Sequence, residues 1–363
     1  MPAARKEGRN LIHAQKLEKT KIGGLMSAAQ NYLEWLNKET KTKYWIDSAV
    51  LKDIKEGLKY NICGVTTNPV LVAQAASLHP AKWAGTVNGL KSEEKAVKLT
   101  ESVVKEIADT IKSEYVKSGG ERGYVCAQIN PARCFDSRSM IEMAKRFSCF
   151  AKNIAVKIPG TRAGMEVIEE CVAGGITVTS TLNFTVSQAV CVLESFKKGV
   201  KKAEANRKVP GKCFTAMMIG RLDDYINDIA KDSGMGEGDY LKQAGIACLK
   251  RAYEIYEKEK VKPVLMPAAM RGTHHVTEFA GANIILSVPP KIFIMLEENT
   301  PPCEERINNR PDPGAIDRLI RIPEFKKAYE IGGLKPEEFM AYGLTQRALA
   351  QFIHMGWNKL EAI

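Results

Sequence analysis

Eight short apolar runs, each separated by helix-patterned sequence, predict an α/β fold: a (β/α)8 (TIM) barrel with additional N-terminal and C-terminal helices. One run, Asn153-Ile-Ala-Val-Lys-Ile-Pro159, carries a single lysine, Lys157, in an otherwise apolar strand. A strand apolar on both faces belongs inside a parallel sheet or barrel, where an ammonium is expensive. Burial disfavours the charged form, so a lysine in that setting is suited to act as a nucleophilic amine toward a carbonyl. A strand-end lysine can also snorkel to solvent or pair with a carboxylate, and Lys157 alone does not separate these readings.

The expected elements follow in order. Residues 10–39 carry an approximate helical stripe of Leu11, Leu17, Ile22, Leu25, Ala29, Leu33 and Leu36. The strand-like runs are Tyr44–Asp47, Cys63–Asn68, Tyr124–Ile129, Ile154–Ile158, Ile176–Thr181, Cys213–Ile219, Val264–Ala269 and Asn283–Val288. Pro267 is awkward in the seventh, because proline removes a ladder donor. A polar, proline-rich stretch from Glu297 to Pro313 reads as a connection outside the barrel. Helical patterns follow over Ile316–Lys327 and Pro336–Trp357, separated by Gly332 and Gly333. The expected organisation is an N-terminal extension over 1–42, a barrel over 43–296, and a linker with packed helices over 297–363.

Composition narrows the function classes. With 45% hydrophobic and 26% charged residues the chain has the makings of an ordinary globular core. No apolar run reaches the roughly 20 residues of a membrane span, and the N-terminus lacks a signal-peptide stretch. Nine cysteines are scattered without Cys-x-x-Cys pairing, which favours reduced thiols and a cytoplasmic setting. The net charge of +11 fits either nucleic-acid binding or an enzyme for anionic metabolites. The basic clusters around Lys197–Lys202, Lys208 and Lys212 lack interleaved aromatics, so a solvated helix face accounts for them better than a nucleic-acid track.

In a barrel, polar residues at the carboxyl ends of the strands converge on one face. Those ends supply Asp47, Thr66-Thr67-Asn68, Gln128, Asn130, Lys157, Thr179, Thr181, Arg221 and Arg271. An amine, a carboxylate, hydroxyls, amides and two guanidiniums suit carbonyl chemistry on a polyhydroxylated phosphate ester. Each has a structural alternative. Asp47-Ser48 could cap a helix beginning near Val50, and Asn68-Pro69 could open the next one. Arg221 could pair locally with Asp223 or Asp224. His274-His275 have no evident third ligand and receive no metal role. Gly234–Gly238 lacks the lysine and spacing of a phosphate loop.

Trp45-Ile-Asp47, Gly64-Val-Thr-Thr-Asn-Pro69, Val156-Lys-Ile-Pro159 and Gly175–Thr181 resemble motifs of the transaldolase family, as do Ile219–Asp223, Ala268–Arg271 and Ala280–Asn283. The resemblance runs in family order over about residues 43–293. It implies a class I barrel that needs no metal or cofactor and acts on sugar phosphates, with no nucleic-acid or membrane partner; a homo-oligomer is compatible with it. It further implies Lys157 as Schiff-base nucleophile, Asp47 as proton-transfer residue, and Gln128 and Thr181 around the catalytic water. Asn68, Thr67 and Thr179 would bind hydroxyls, and Arg221 and Arg271 the phosphate. Departures stand beside these matches. Gln128 replaces the usual glutamate, as in the related fructose-6-phosphate aldolases; Thr179 replaces an asparagine. Ala216 and Ala269 replace serines, and Met218 replaces a phenylalanine or tyrosine. The resemblance therefore implies a transaldolase, with an aldolase of the fructose-6-phosphate type or a non-catalytic sugar-phosphate-binding relative as alternatives.

Overall fold

The computed structural model describes residues 31–363. Most of the helix expected over 10–39 thus lies outside the described residues; its last part is the helix Tyr32–Glu39, with Tyr32, Leu33 and Leu36 buried.

Eight parallel strands form one sheet: β1 Lys43–Asp47, β2 Gly64–Thr66, β3 Tyr124–Gln128, β4 Ile154–Pro159, β5 Val178–Asn183, β6 Cys213–Met217, β7 Val264–Pro267 and β8 Ile285–Val288. Their order is β7-β6-β5-β4-β3-β2-β1-β8, so the sheet curls round until its two edges are β7 and β8. This is a nearly closed (β/α)8 barrel with helices around it. Pro267 is accommodated because β7 has a ladder on one side only: it pairs with Met217 of β6, and no ladder to β8 calls for its missing N–H.

Strand alternation sorts the side chains. Ile46, Val65, Val125, Val156, Ile158 and Val178 point outward into the main core beneath the helices. The alternate positions point into the barrel. At its amino end Trp45, Tyr124 and Phe214 fill the interior, with Trp45 edge-on to Phe214 at 4.8 Å between ring centroids. Gly64 makes room for the indole: a Cβ there would lie 2.3 Å from Trp45 Cε2. One step further along the same faces the inward positions become polar. They are Asp47 on β1, Thr66 on β2, Gln128 on β3, Lys157 on β4, Thr181 on β5 and Ser287 on β8. Among the described residues the aromatic plug fills the barrel's base, and the cavity beside these polar groups opens at the carboxyl end.

The C-terminal segment returns to that end. The helix Gly343–Phe352 runs into a π-helical turn, Ile353–Trp357. Gly356 seats the turn against the helix that starts at Pro69; a Cβ there would lie 2.7 Å from the Pro69 Cβ.

Candidate active site

A cavity of about 350 Å³ opens at the carboxyl end of the barrel. Asp47, Asn68, Lys157, Thr181, Arg221 and Arg271 all line it, so the fold converges residues spread over more than two hundred positions.

Lys157 is buried, 6% exposed, and its Nζ donates to the main-chain carbonyl of Thr67 at 2.9 Å. No carboxylate lies within ion-pairing distance of it among the described residues. The amine is therefore held by a neutral acceptor on the cavity wall, and neither snorkels nor sits in a salt bridge.

Asp47 does not cap the following helix. Ser48 takes the local role instead, accepting from the Val50 N–H and donating to Asp53. Asp47 Oδ1 accepts from Thr66 Oγ1 at 2.8 Å, and Thr66 Oγ1 lies 2.7 Å from Ser287 Oγ. These three residues sit on adjacent strands β2, β1 and β8, in the register that pairs Asp47 with Thr66 and Trp45 with Ser287. Burial raises the Asp47 pKa above the usual aspartate range; the positive charge of Lys157, the Thr66 hydrogen bond and Arg221 pull the other way without cancelling it.

Asn68 serves both readings. Its Oδ1 accepts from the Val70 and Leu71 N–H groups and caps the helix Pro69–Leu78, while the residue also lines the cavity. Gln128 sits beside Lys157 across the β3–β4 ladder and is 2% exposed. Neither its amide nitrogen nor its amide oxygen has a partner among the described residues. Two orphaned polar atoms in so buried a group mark a place where a small polar molecule can be held. Among the described residues Thr181 Oγ1 makes only a 3.9 Å contact to the sulfur of Met218.

Thr67 lies behind the cavity wall, and Thr179 points into the barrel interior beneath the cavity, beside Cys126. The Thr67 hydroxyl donates to the Cys126 carbonyl at 2.6 Å, and Thr179 Oγ1 lies 3.3 Å from Cys126 Sγ. What Thr67 presents toward the site is its carbonyl. Asn130 is likewise occupied, binding Glu93 and capping the short turn after β3.

The arginines differ from each other. Arg221 has no carboxylate partner among the described residues, and its guanidinium lies over the Phe352 ring at 5.3 Å. Burial, and then the like charge of Arg271, press its pKa below the usual guanidinium range. Arg271 is held from several sides: Asp224 accepts from Nε and Nη2 at 2.9 and 2.7 Å, and the Ala269 carbonyl from Nη1 at 2.7 Å. Ala269 adopts a left-handed φ of 56°, a strained conformation for a residue with a Cβ. Gly220 permits this, since a Cβ there would lie 2.1 Å from the Ala269 carbonyl oxygen. The three departures Ala216, Met218 and Ala269 also line the cavity.

The fold supplies the third group that the sequence around His274-His275 did not reveal: Asp223 lies with both histidines within 4.8 Å. His275 is nevertheless fully engaged. Its Nδ1 accepts from the Arg271 N–H at 3.1 Å, so the proton of the neutral ring sits on Nε2 and is donated to Asp223 at 2.7 Å. This pair anchors the backbone of Arg271 from behind.

Sequence reasoning missed Ser287, Lys291 and Phe352, all of which line the cavity. Ser287 was within reach, since the alternation that turns Ile285 inward turns Ser287 inward too. Phe352 carried no signal, being one apolar residue of an amphipathic helix.

The fold and its mouth define a parallel α/β barrel with a buried amine, a carboxylate and guanidiniums facing one cavity. A family model described as transaldolase/fructose-6-phosphate aldolase matches residues 44–359, and the chain belongs to that family. A transaldolase of Thiobacillus denitrificans is 25% identical over 321 residues, 84% of this chain and 87% of its own. One from Neisseria gonorrhoeae is 26% identical over 246 residues, covering 64% of this chain and 68% of its own. One from Renibacterium salmoninarum is 31% identical over 208 residues, covering 54% and 55%. No described helix is long and apolar enough to cross a membrane.

Proposed function

We propose that this chain is a transaldolase, moving a dihydroxyacetone unit from a ketose phosphate such as fructose 6-phosphate or sedoheptulose 7-phosphate to an aldose phosphate. The observation that carries this reading is the shared cavity: Lys157 and Asp47 face it together with Arg221 and Arg271. In its neutral form Lys157 attacks the C2 carbonyl, and the carbinolamine loses water to give an iminium. The iminium accepts the electron pair of the C3–C4 bond as that bond breaks. Asp47 takes the proton of the C4 hydroxyl, and an aldose phosphate leaves. The three-carbon enamine stays on Lys157 until an acceptor aldehyde arrives, when the same steps run in reverse.

The neighbours have parts consistent with their surroundings. The Thr67 carbonyl orients Lys157, and Asn68 meets the donor's hydroxyls from the cavity wall, with Thr179 supporting the wall through Cys126. Thr181 and the unpartnered amide of Gln128 hold the water lost and regained at the iminium. Arg221 and Arg271 bind the phosphate, which fits two guanidiniums better than one because the dianion offers several acceptor oxygens. Such a reaction serves the pentose phosphate pathway of the cytoplasm.

The neutral Gln128 supports a second reading, an aldolase of the fructose-6-phosphate type that releases free dihydroxyacetone. An amide orients water but cannot take its proton, which leaves proton handling to Asp47. Fructose 6-phosphate turnover measured with and without erythrose 4-phosphate separates the two. The transferase reading expects little turnover until acceptor is added; rapid release of dihydroxyacetone without acceptor would overturn it.

A further inference from the structure

The space around Arg221 and Arg271 does not end at the chamber of Lys157. A second cavity, of about 390 Å³, is bordered by the same two arginines. Its remaining wall is Asp224 together with the C-terminal helix Gly343–Phe352 and the turn after it, which contribute Leu344, Arg347, Gln351 and Met355. Arg221 and Arg271 therefore stand on the partition between the chamber of Lys157 and this outer vestibule.

The charge around the vestibule does not balance. Arg271 is matched by Asp224 at 2.7 Å and Arg347 by Asp228 at 2.5 Å. Arg221 has no ion-pair partner among the described residues; the like charges of Arg271 and Arg347 press on it, and Asp224 and Asp47 offset them only from a distance. Phe352, from the same helix as Arg347, covers one face of the Arg221 guanidinium and keeps that side from water. A partly enclosed space with surplus positive charge favours an anion. The Arg347–Asp228 pair is exposed, with 61% and 47% of the two side chains accessible, so an incoming phosphate can draw Arg347 from its partner at small expense. Gln351, one turn along from Arg347 and on the same helix face, adds an amide donor.

We infer that the C-terminal helix forms the third side of the phosphate subsite, with Arg347 as a specificity-determining residue and Gln351 beside it. The ligand is the phosphomonoester end of the sugar substrate, entering the gap between Arg221 and Arg271 and meeting Arg347 from outside. This inference rests on the phosphate reading of Arg221 and Arg271.

The test compares wild type, Arg347→Gln, Gln351→Glu and Arg221→Ala at constant ionic strength. Two quantities are measured: the ratio of kcat/KM for fructose 6-phosphate to that for unphosphorylated dihydroxyacetone as donor, and the Ki of inorganic phosphate. The inference expects Arg347→Gln to lower the ratio and raise the Ki, each about fivefold, the scale of one exposed charge. Gln351→Glu, which sets a carboxylate in the vestibule, is expected to move both in the same direction. If Arg221→Ala shifts both quantities while neither helix variant does, the inference is overturned and the two-arginine clamp stands. If Arg221→Ala also shifts neither, the clamp reading fails and takes the inference with it.

Discussion

Lys157 donates a 2.9 Å hydrogen bond to the main-chain carbonyl of Thr67, ninety residues earlier in the chain. The carbonyl comes from the Gly64–Pro69 segment, whose Asn68 caps the next helix while facing the same cavity. One turn thus aims the amine, supplies an amide and starts a helix. The acceptor is an uncharged main-chain oxygen, so the bond is a hydrogen bond and not an ion pair.

Asp47→Asn preserves the shape of the carboxyl group and removes its basicity. Loss of a general base is expected to lower kcat by roughly 10² to 10⁴. Steady-state kinetics with fructose 6-phosphate and erythrose 4-phosphate would measure it. Retention of the covalent Lys157 adduct in this variant would separate proton transfer from imine formation.

The raised pKa of Asp47 sets the sign of the acid limb. If Asp47 takes the C4 hydroxyl proton, only its ionised form can do so, and activity should fall as pH drops through that pKa. The limb should therefore lie above the ordinary aspartate value of about 3.9. Thr66→Val deletes a hydrogen bond that favours the ionised form, and should move the limb to still higher pH. A pH profile of kcat/KM for both proteins checks this; a limb that moves down in Thr66→Val would contradict the assignment to Asp47.

Gln128→Leu should separate stability from activity. The Gln128 amide makes no hydrogen bond to the described protein, so an apolar replacement of similar size should change stability by less than about 1 kcal/mol. If the amide holds the reacting water, kcat should nonetheless fall, by about tenfold or more. Denaturant unfolding alongside steady-state kinetics gives both quantities.

Gly64→Ala tests the plug under the site. The added methyl would lie 2.3 Å from the Trp45 ring, which is itself wedged against Phe214. Overpacking of this kind destabilises by about 1–3 kcal/mol. Urea unfolding followed by tryptophan fluorescence would read it directly.

Much of this arrangement is legible in the sequence because barrel strands obey a period of two. Within each strand the alternation ties a polar carboxyl-end residue to the face of its i−2 neighbour, as with Asp47 and Trp45, and the apolar runs give the strand count. Strand edges were less legible: the run expected from Ile176 begins its ladder at Val178, and that expected to reach Asn68 ends at Thr66. Contacts between distant segments were not legible at all. Nothing local says that Thr66 meets Ser287, that Phe352 lies under Arg221, or that Asp224 selects Arg271 while Arg221 has no carboxylate partner among the described residues. Those choices are made by how the C-terminal helix and the strand ends pack, and the composition of each segment is compatible with several outcomes.

Covalent chemistry at Lys157 can be read out by reductive trapping. The protein is incubated with fructose 6-phosphate, reduced with borohydride, digested, and mapped by mass spectrometry. One modified peptide is expected, carrying a reduced three-carbon adduct on Lys157 and lost in Lys157→Ala. A protein that binds the sugar yet yields no adduct, or carries it on another lysine, would contradict it.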